Sequence, residues 1–353
     1  MNVDALTHST GNKQAPRKRP LWAYVLWPLG IGFLWMARIR VRCSRLLSRP
    51  IRLGRPTISV GNLTFGGTGK TPFSIYLAER VRTMGAEPAV ILRGYGRETR
   101  GPIRVSPDHS AREVGEEALV LARSLSGLAV VVAERREEGA ALLDDRVDVI
   151  ILDDAFQHLR VHRDLDLLLI DASRPQDLHA PPVGRLRESI SAVSRAHFLV
   201  TTRGEPRDLT RKLLSRSQGL QTISARFEWS EEALSPSGHL SWGLVGSSPV
   251  VAFAGIGNPA AFFAQAEEMG LDLASRHVWR DHAVPSVERL HAIAEDVRRT
   301  GAGAVLTTMK DAVKWERNWT LDVPLVYPNL SVRLEDPDGH LDASLRSLLE
   351  RRP

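Results

Sequence analysis

Thr57-Ile-Ser-Val-Gly-Asn-Leu-Thr-Phe-Gly-Gly-Thr-Gly-Lys-Thr-Pro72 is the stretch on which the reading of this chain turns. A β-branched strand, Thr57–Val60, enters a glycine-rich turn. The turn ends in Gly69-Lys70-Thr71 and opens a helical pattern from Phe73 to Met84, with Ile75, Leu77, Ala78 and Val81 for its buried face. Strand, loop and helix in this order form a cradle for a nucleoside triphosphate. Thr64, Phe65, Gly66, Gly67, Thr68, Gly69, Lys70 and Thr71 are its expected nucleotide-binding residues. The glycines expose backbone N–H groups, Lys70 adds a positive charge and Thr71 offers a hydroxyl to Mg²⁺. The first glycine of the usual G-x-x-x-x-G-K-[ST] pattern is Thr64 here, so Gly66 and Gly67 supply the flexibility slightly later.

Outward from the loop, short apolar strands recur at Ala89–Leu92, Ala129–Ala133, Val147–Leu152, Leu165–Ile170 and His197–Thr201, with helical patterns between several of them. That alternation predicts an α/β fold with a parallel sheet covered by helices on both faces. From about Gln221 the pattern changes to turn-rich alternation. A second strand-and-helix series follows: Pro249–Ala254, Ala260–Met269, Val287–Arg299 and Ala304–Thr308. The expected organisation is a disordered basic tail over 1–20 and a membrane anchor with a basic juxtamembrane segment over 21–54. A P-loop domain over 55–220, a β-rich linker over 221–247 and a smaller α/β domain over 248–353 follow.

The 353 residues carry a net charge of +6, and 43% are hydrophobic. The single cysteine, Cys43, excludes an internal disulfide framework and a Cys-rich zinc site. Much of the positive charge flanks the apolar run Leu21–Ala37, which holds Trp22, Tyr24, Trp27 and Trp35, residues that favour membrane interfaces. Seventeen residues span roughly 25 Å as a helix, just under the usual bilayer crossing. A short span or an interfacial helix is expected; a helix buried in the soluble domain is the alternative. The denser arginine cluster after the run places the main body in the cytoplasm. Clustering beside the anchor, with no aromatic RNA-binding motif, argues against nucleic acid as the partner.

Several further positions can carry chemistry. Asp148-Val-Ile-Ile-Leu-Asp153-Asp154 is a buried strand with two acids at its C-terminal edge, where open α/β sheets bind ligands. Such acids hold Mg²⁺ or cap a helix. Gln157 and His158 face the same cleft or start a solvated loop. Arg93-Gly-Tyr95-Gly-Arg97 follows another strand and can approach phosphates. Glu116 and Glu117 open a helix, where acids complement the dipole or one serves as a general base. Arg187-Glu188 offers a cation and an acid. Gly255-Ile-Gly257-Asn-Pro-Ala260 fits a dinucleotide turn, but Asn258 as cap and Pro259 at the first helical position explain it without one. Asp281-His282 follows the apparent strand Ser275–Trp279 and can relay a proton. Lys310 and Asp311 follow another strand and can contact ligand or close the seam between domains.

In one order, Ser59–Pro72, Arg93–Gly96, Val114–Glu117, Asp153-Asp-Ala-Phe-Gln-His158, Gly184–Glu188, Phe253–Pro259, Asp281-His282 and Thr308–Val313 resemble the tetraacyldisaccharide 4′-kinases, which act in lipid A biosynthesis. The resemblance implies a membrane-associated P-loop kinase of the bacterial inner membrane, with its catalytic domains facing the cytoplasm. Such an enzyme moves the γ-phosphate of ATP, with Mg²⁺, to the 4′-hydroxyl of a tetraacylated glucosamine disaccharide 1-phosphate. It implies Lys70, Glu116, His282 and Asp153 as catalytic residues, with Glu116 and His282 as the base pair. It implies Thr71, Asp153, Asp154 and Glu188 at the metal, and Asn62, Arg93, Tyr95, Gln157, His158 and Arg187 toward the acceptor. Glu116 stands where the family carries aspartate, and Asp281-His282-Ala283 where it carries Asp-His-His. The glycolipid and the membrane surface are the expected partners, with no obligate protein partner. The alternative class is a P-loop ATPase or GTPase switch acting on a protein, or a kinase with a different glycolipid acceptor. Phe65, where switch ATPases of one type need lysine, and the lack of an Asn-Lys-x-Asp motif count against the switch.

Overall fold

The structure is a computed structural model that describes residues 27–47, 49–175, 178–204, 213–215, 217, 219–280 and 283–351. Thirteen strands among these residues join into one sheet. They are β1 Thr57–Asn62, β2 Pro88–Leu92, β3 Ile103–Arg104, β4 Ala129–Val132, β5 Val149–Asp153, β6 Leu165–Asp171, β7 Phe198–Thr202, β8 Gln221–Ser235, β9 Gly238–Ser241, β10 Val250–Ala254, β11 Leu273–Val278, β12 Ala304–Leu306 and β13 Leu325–Glu335. The described helices are α1 Trp27–Leu47, α2 Lys70–Thr83, α3 Ala111–Val114, α4 Glu116–Ser124, α5 Arg136–Ala140, α6 Trp242–Val245, α7 Pro259–Glu268, α8 Val287–Thr300, α9 Met309–Trp315 and α10 His340–Glu350.

In the first lobe the strand order is β8-β7-β6-β1-β5-β2-β4-β3, parallel except for the short edge strand β3. The central strands β1, β2, β5 and β6 are buried along their whole length. That explains their apolar runs: a parallel sheet with helices on both faces leaves neither face to water. Ile58, Val60, Phe73, Leu77 and Val81 pack in one core with Leu119 and Leu121 of α4.

The segment expected to be a β-rich linker is the spine of the molecule. β8 is a single 15-residue strand. Its start runs parallel to β7, and most of its length pairs antiparallel with β13. β13 in turn runs parallel to β12, which joins at the first residues of β13 (Val305 opposite Leu325), close to the C-terminal end of β8 (Tyr327 opposite Leu234). The second-lobe strands β12, β10 and β11 therefore run opposite to those of the first lobe and lie beyond their C-terminal ends. The ligand-binding edges of the two lobes face each other. The final helix departs from the expected boundary of the smaller domain. Leu341, Leu345, Leu348 and Leu349 of α10 pack into the first-lobe core, and Asp342 pairs with Arg80 of α2.

α1 begins inside the predicted apolar run and continues into the arginines that follow it. Residues 1–26, including the start of the run and the predicted disordered tail, lie outside the described residues. No helix among the described residues is long and apolar enough to cross a membrane. Gly30 is buried where α1 meets the Ala180-Pro181 backbone, so closely that a Cβ there would lie 2.6 Å from the Pro181 carbonyl oxygen. Leu34 rests on the core beneath, while Leu29, Ile31, Trp35 and Met36 are each more than half exposed.

Candidate active site

A cleft of about 1620 Å³ opens between the facing edges. One wall is the glycine loop between β1 and α2, in which Gly66 (φ 113°) and Gly69 (φ 86°) take left-handed backbone that only glycine adopts without strain. The loop carbonyls are held by the protein. Asn62 Nδ2 donates to the Gly66 carbonyl (3.3 Å) and to Thr68 Oγ1 (3.1 Å). Thr202 Oγ1 donates to the Thr68 carbonyl (3.2 Å) and Arg203 Nη1 to that of Gly67 (2.9 Å). The N–H groups at the start of α2 then remain as donors for phosphate. Thr64 pairs with Leu186 and is buried; Phe65 is half exposed, with the Arg187 guanidinium 5.3 Å from its ring centre. Thr68, Lys70 and Thr71 line the cleft. The expected substrate-binding role of Asn62 is corrected: its side chain is fully buried and shapes the loop.

The two acids stand beside this loop. Asp153 ends β5, and Ser74 of α2 donates to it (3.0 Å). Burial, then repulsion from Glu117, pushes its carboxyl up to about 7 against the opposing pull of Lys70. Asp154 sits at φ 49°. Burial alone would raise its carboxyl, but the Lys70 ammonium (3.7 Å) and the Arg187 guanidinium (2.7 Å) hold it below the usual range. Lys70, Asp153, Asp154 and Arg187 therefore come together, with Arg187, expected toward the acceptor, paired to Asp154. Glu188 does not join them. It is buried in a two-pronged pair with Arg195 (2.7 and 2.9 Å) and accepts from Gln157 (3.0 Å). Its expected metal role is corrected to that of an anchor: both oxygens are already taken, and they position Gln157.

Arg93, Tyr95, Gln157 and His158 all line the cleft. Gln157 also donates to the Asn62 carbonyl (2.8 Å), which ties it to the base of the loop. Burial, then the nearby Arg136 charge, pushes His158 down to about 4. One cleft residue escaped the sequence reading. Arg136 is almost fully buried at the start of α5 and donates to the Ala133 carbonyl (2.6 Å). Burial, then repulsion from Arg93, lowers it to about 10. A basic residue following a parallel strand was the available signal, as at Arg93. Glu117, of the pair of acids that opens α4, lines the cleft, acts on Asp153 and lies 3.8 Å from Lys310 of the second lobe, while its neighbour Glu116 is off the cleft lining and meets two second-lobe lysines. Lys314 Nζ lies 3.5 Å and Lys310 Nζ 3.9 Å from the Glu116 carboxylate.

From the second lobe, Ile256, Gly257, Asn258 and Lys310 close the cleft. Asn258 caps α7 with Pro259 at its start, as the sequence suggested. Asp311 is buried and accepts the Gly255 N–H (2.8 Å), so it holds this turn and does not reach a ligand. Asp281 and His282 lie outside the described residues. Their neighbour Arg280 faces the Gly255 turn through its carbonyl.

The family model of the tetraacyldisaccharide-1-P 4′-kinases matches residues 22–350. The chain belongs to this kinase family. The kinase is similar to the tetraacyldisaccharide 4′-kinase of Geobacter sulfurreducens, at 35% identity over 97% of each chain. It is also similar to that of Geobacter metallireducens, at 39% identity over 74% of this chain and 79% of the relative. Among solved structures it matches LpxK from Aquifex aeolicus, crystallised in complex with ATP. That match has a TM-score of 0.75 and 26% identity, over 93% of this kinase and all of the crystallised chain.

Proposed function

We propose that the chain transfers the γ-phosphate of ATP to the 4′-hydroxyl of a tetraacylated glucosamine disaccharide 1-phosphate, at the cytoplasmic face of the inner membrane. The observation that carries this reading is the convergence of Lys70, Asp153, Asp154 and Arg187 beside a glycine loop, in a cleft whose far wall comes from another lobe. Phosphoryl transfer needs this kind of site, since catalysis there is mostly positioning and charge stabilisation. The loop N–H groups and Lys70 receive the phosphates. Arg93, Arg136 and Arg187 supply cationic charge along the first-lobe side. Glu116, with His282, takes the acceptor hydroxyl proton.

Asp153, Asp154 and the Thr71 hydroxyl suit Mg²⁺, with Glu117 beside them. They are hard oxygen donors, and a cation beside them would favour the anion of the buried Asp153 carboxyl. Among the described residues no group of three or more His, Cys, Asp or Glu side chains is placed to hold a metal ion by itself. A magnesium ion carried on nucleotide phosphates needs only one or two protein carboxylates. When bound, it neutralises developing charge on the transferred group.

The exposed face of α1 supports membrane attachment. Leu29, Ile31, Trp35 and Met36 project from a helix whose opposite side rests on the first lobe, and Phe33 lines the cleft. An interfacial helix in this position would leave the acyl chains in the bilayer and bring the sugar to the cleft.

Radiolabelled γ-phosphate tests the reading. Purified kinase should label the tetraacyldisaccharide 1-phosphate in mixed micelles, and Lys70→Ala should lower turnover by roughly 10²–10³-fold. Release of inorganic phosphate with unlabelled lipid would favour a switch ATPase.

A further inference from the structure

Helix α9 belongs to the second lobe by sequence, yet it docks on α4 of the first. Val313 enters the first-lobe core, Ser124 Oγ meets Met309 Sδ at 3.7 Å, and Arg123 pairs with Glu316 just past α9. Lys310 and Lys314 are one turn apart, so they share a face, and that face meets the acids that open α4. Lys310 Nζ lies 3.9 Å from Glu116 and 3.8 Å from Glu117. Lys314 is more deeply placed, with only 4% of its side chain exposed, between two carboxylates. One is Asp311 at 2.8 Å, the other Glu116 at 3.5 Å. Asp311 is itself fixed, accepting from the Gly255 N–H and from the Thr308 hydroxyl, both at 2.8 Å. A continuous polar chain thus runs from the Gly255 turn of the second lobe, through Asp311 and Lys314, to Glu116 of the first.

We propose that Lys314 is a positioning residue that holds the Glu116 carboxylate for proton abstraction. The proposal rests on Glu116 being the base. A glutamate at the start of a helix has three side-chain rotors to restrain, and an ammonium anchored by a second buried acid restrains its head. The anchor comes from the opposite lobe, so readiness of the base depends on how α9 sits against α4. Lys310, at the cleft, shares the acids but has the cleft as a second neighbour. Lys314 has none, which suits it to orientation and not to ligand contact.

A double-mutant cycle on the full chain tests this. Lys314→Met should lower kcat by roughly 10- to 100-fold with the KM for ATP within about twofold, and Lys314→Arg should recover most of the loss. In a Glu116→Gln background, Lys314→Met should remove little more, because both substitutions disable one unit. If Lys314→Met fails to fold, the cycle is read with Lys314→Gln, which can still hydrogen-bond both acids. A full additional loss in the Glu116→Gln background, or a raised KM for ATP with unchanged kcat, would overturn the proposal alone. Wild-type turnover in Glu116→Gln would overturn the base assignment, and the proposal with it.

Discussion

Gly61→Ala inserts a methyl where the chain has no room for one. Gly61 lies in β1, one residue before the Asn62 that shapes the loop. A Cβ there would stand 2.5 Å from the Phe156 Cβ and 2.8 Å from the Phe156 amide nitrogen. Non-bonded carbons settle about 3.5–4.0 Å apart, so relief needs a movement of about 1 Å. The colliding atoms are backbone and Cβ, which no rotamer change can clear. Phe156 is itself fully buried, with the Arg195 guanidinium 4.4 Å from its ring centre. The displacement therefore passes into the Asp153–Phe156 segment or into β1. Either way the acids shift relative to Lys70. Overpacking of this kind costs about 1–3 kcal/mol of stability, and a 1 Å misplacement of reacting groups costs roughly 10²-fold in rate. Differential scanning fluorimetry should show a Tm lower by roughly 2–10 °C, and turnover at saturating ATP should fall about 100-fold. Gly243→Ala is the control, since a Cβ there meets nothing within 4 Å. If Gly61→Ala folds and turns over within twofold of wild type, the spacing of β1 from the Asp153-Asp154 turn does not govern the chemistry, and the argument fails.

Three further outcomes are expected. Glu188→Ala leaves Arg195 charged and buried, a loss of about 3–5 kcal/mol; Tm should drop while the Mg²⁺ concentration for half-maximal rate stays put, and the reverse pattern would restore Glu188 to the metal. His158 is depressed from 6.5 to about 4, so the unfolded chain binds more protons between these values and stability falls as pH drops from about 6.5 toward 4. Urea midpoints should therefore fall less for His158→Gln than for wild type between pH 7.5 and 5; equal falls would refute the burial of a neutral imidazole. Changing Leu29, Ile31 and Met36 of α1 together to serine removes roughly 1 kcal/mol of interfacial burial each, so binding to anionic vesicles should weaken by about two orders of magnitude, and unchanged binding would place the membrane contact elsewhere.

Much of the first lobe is legible in order along the chain. Thr57–Pro72, Ala89–Leu92 and Val147–Asp154 each combine a short apolar run with polar residues just beyond it. In a parallel sheet that local pattern is enough to place the polar residues at the binding edge. Lys70, Asp153, Asp154, Arg93 and Gln157 were found this way and do line one cleft. Asn62 and Glu188 were misjudged because polarity near a site says nothing about which partner a side chain faces. Asn62 turns inward to the Gly66 carbonyl and the Thr68 hydroxyl, and Glu188 meets Arg195, seven residues on, through a fold in the chain. Arg136 was missed, and Glu117 was passed over in favour of its neighbour Glu116, because two like residues stand side by side at each place and only helix phase tells them apart.

Sequence alone determined that a nucleotide cradle, a pair of acids and an apolar basic helix occur in one α/β chain, because those signals are local in glycine, charge and hydrophobic period. Only the tertiary structure decided that β8 and β13 form a ladder opposing the binding edges of two lobes. Only it showed that α10 returns to the first core, and that Lys314 of one lobe reaches Glu116 of the other. Those facts rest on pairing between residues far apart in the chain, where register and burial are set by the whole fold and leave no periodic mark in either segment.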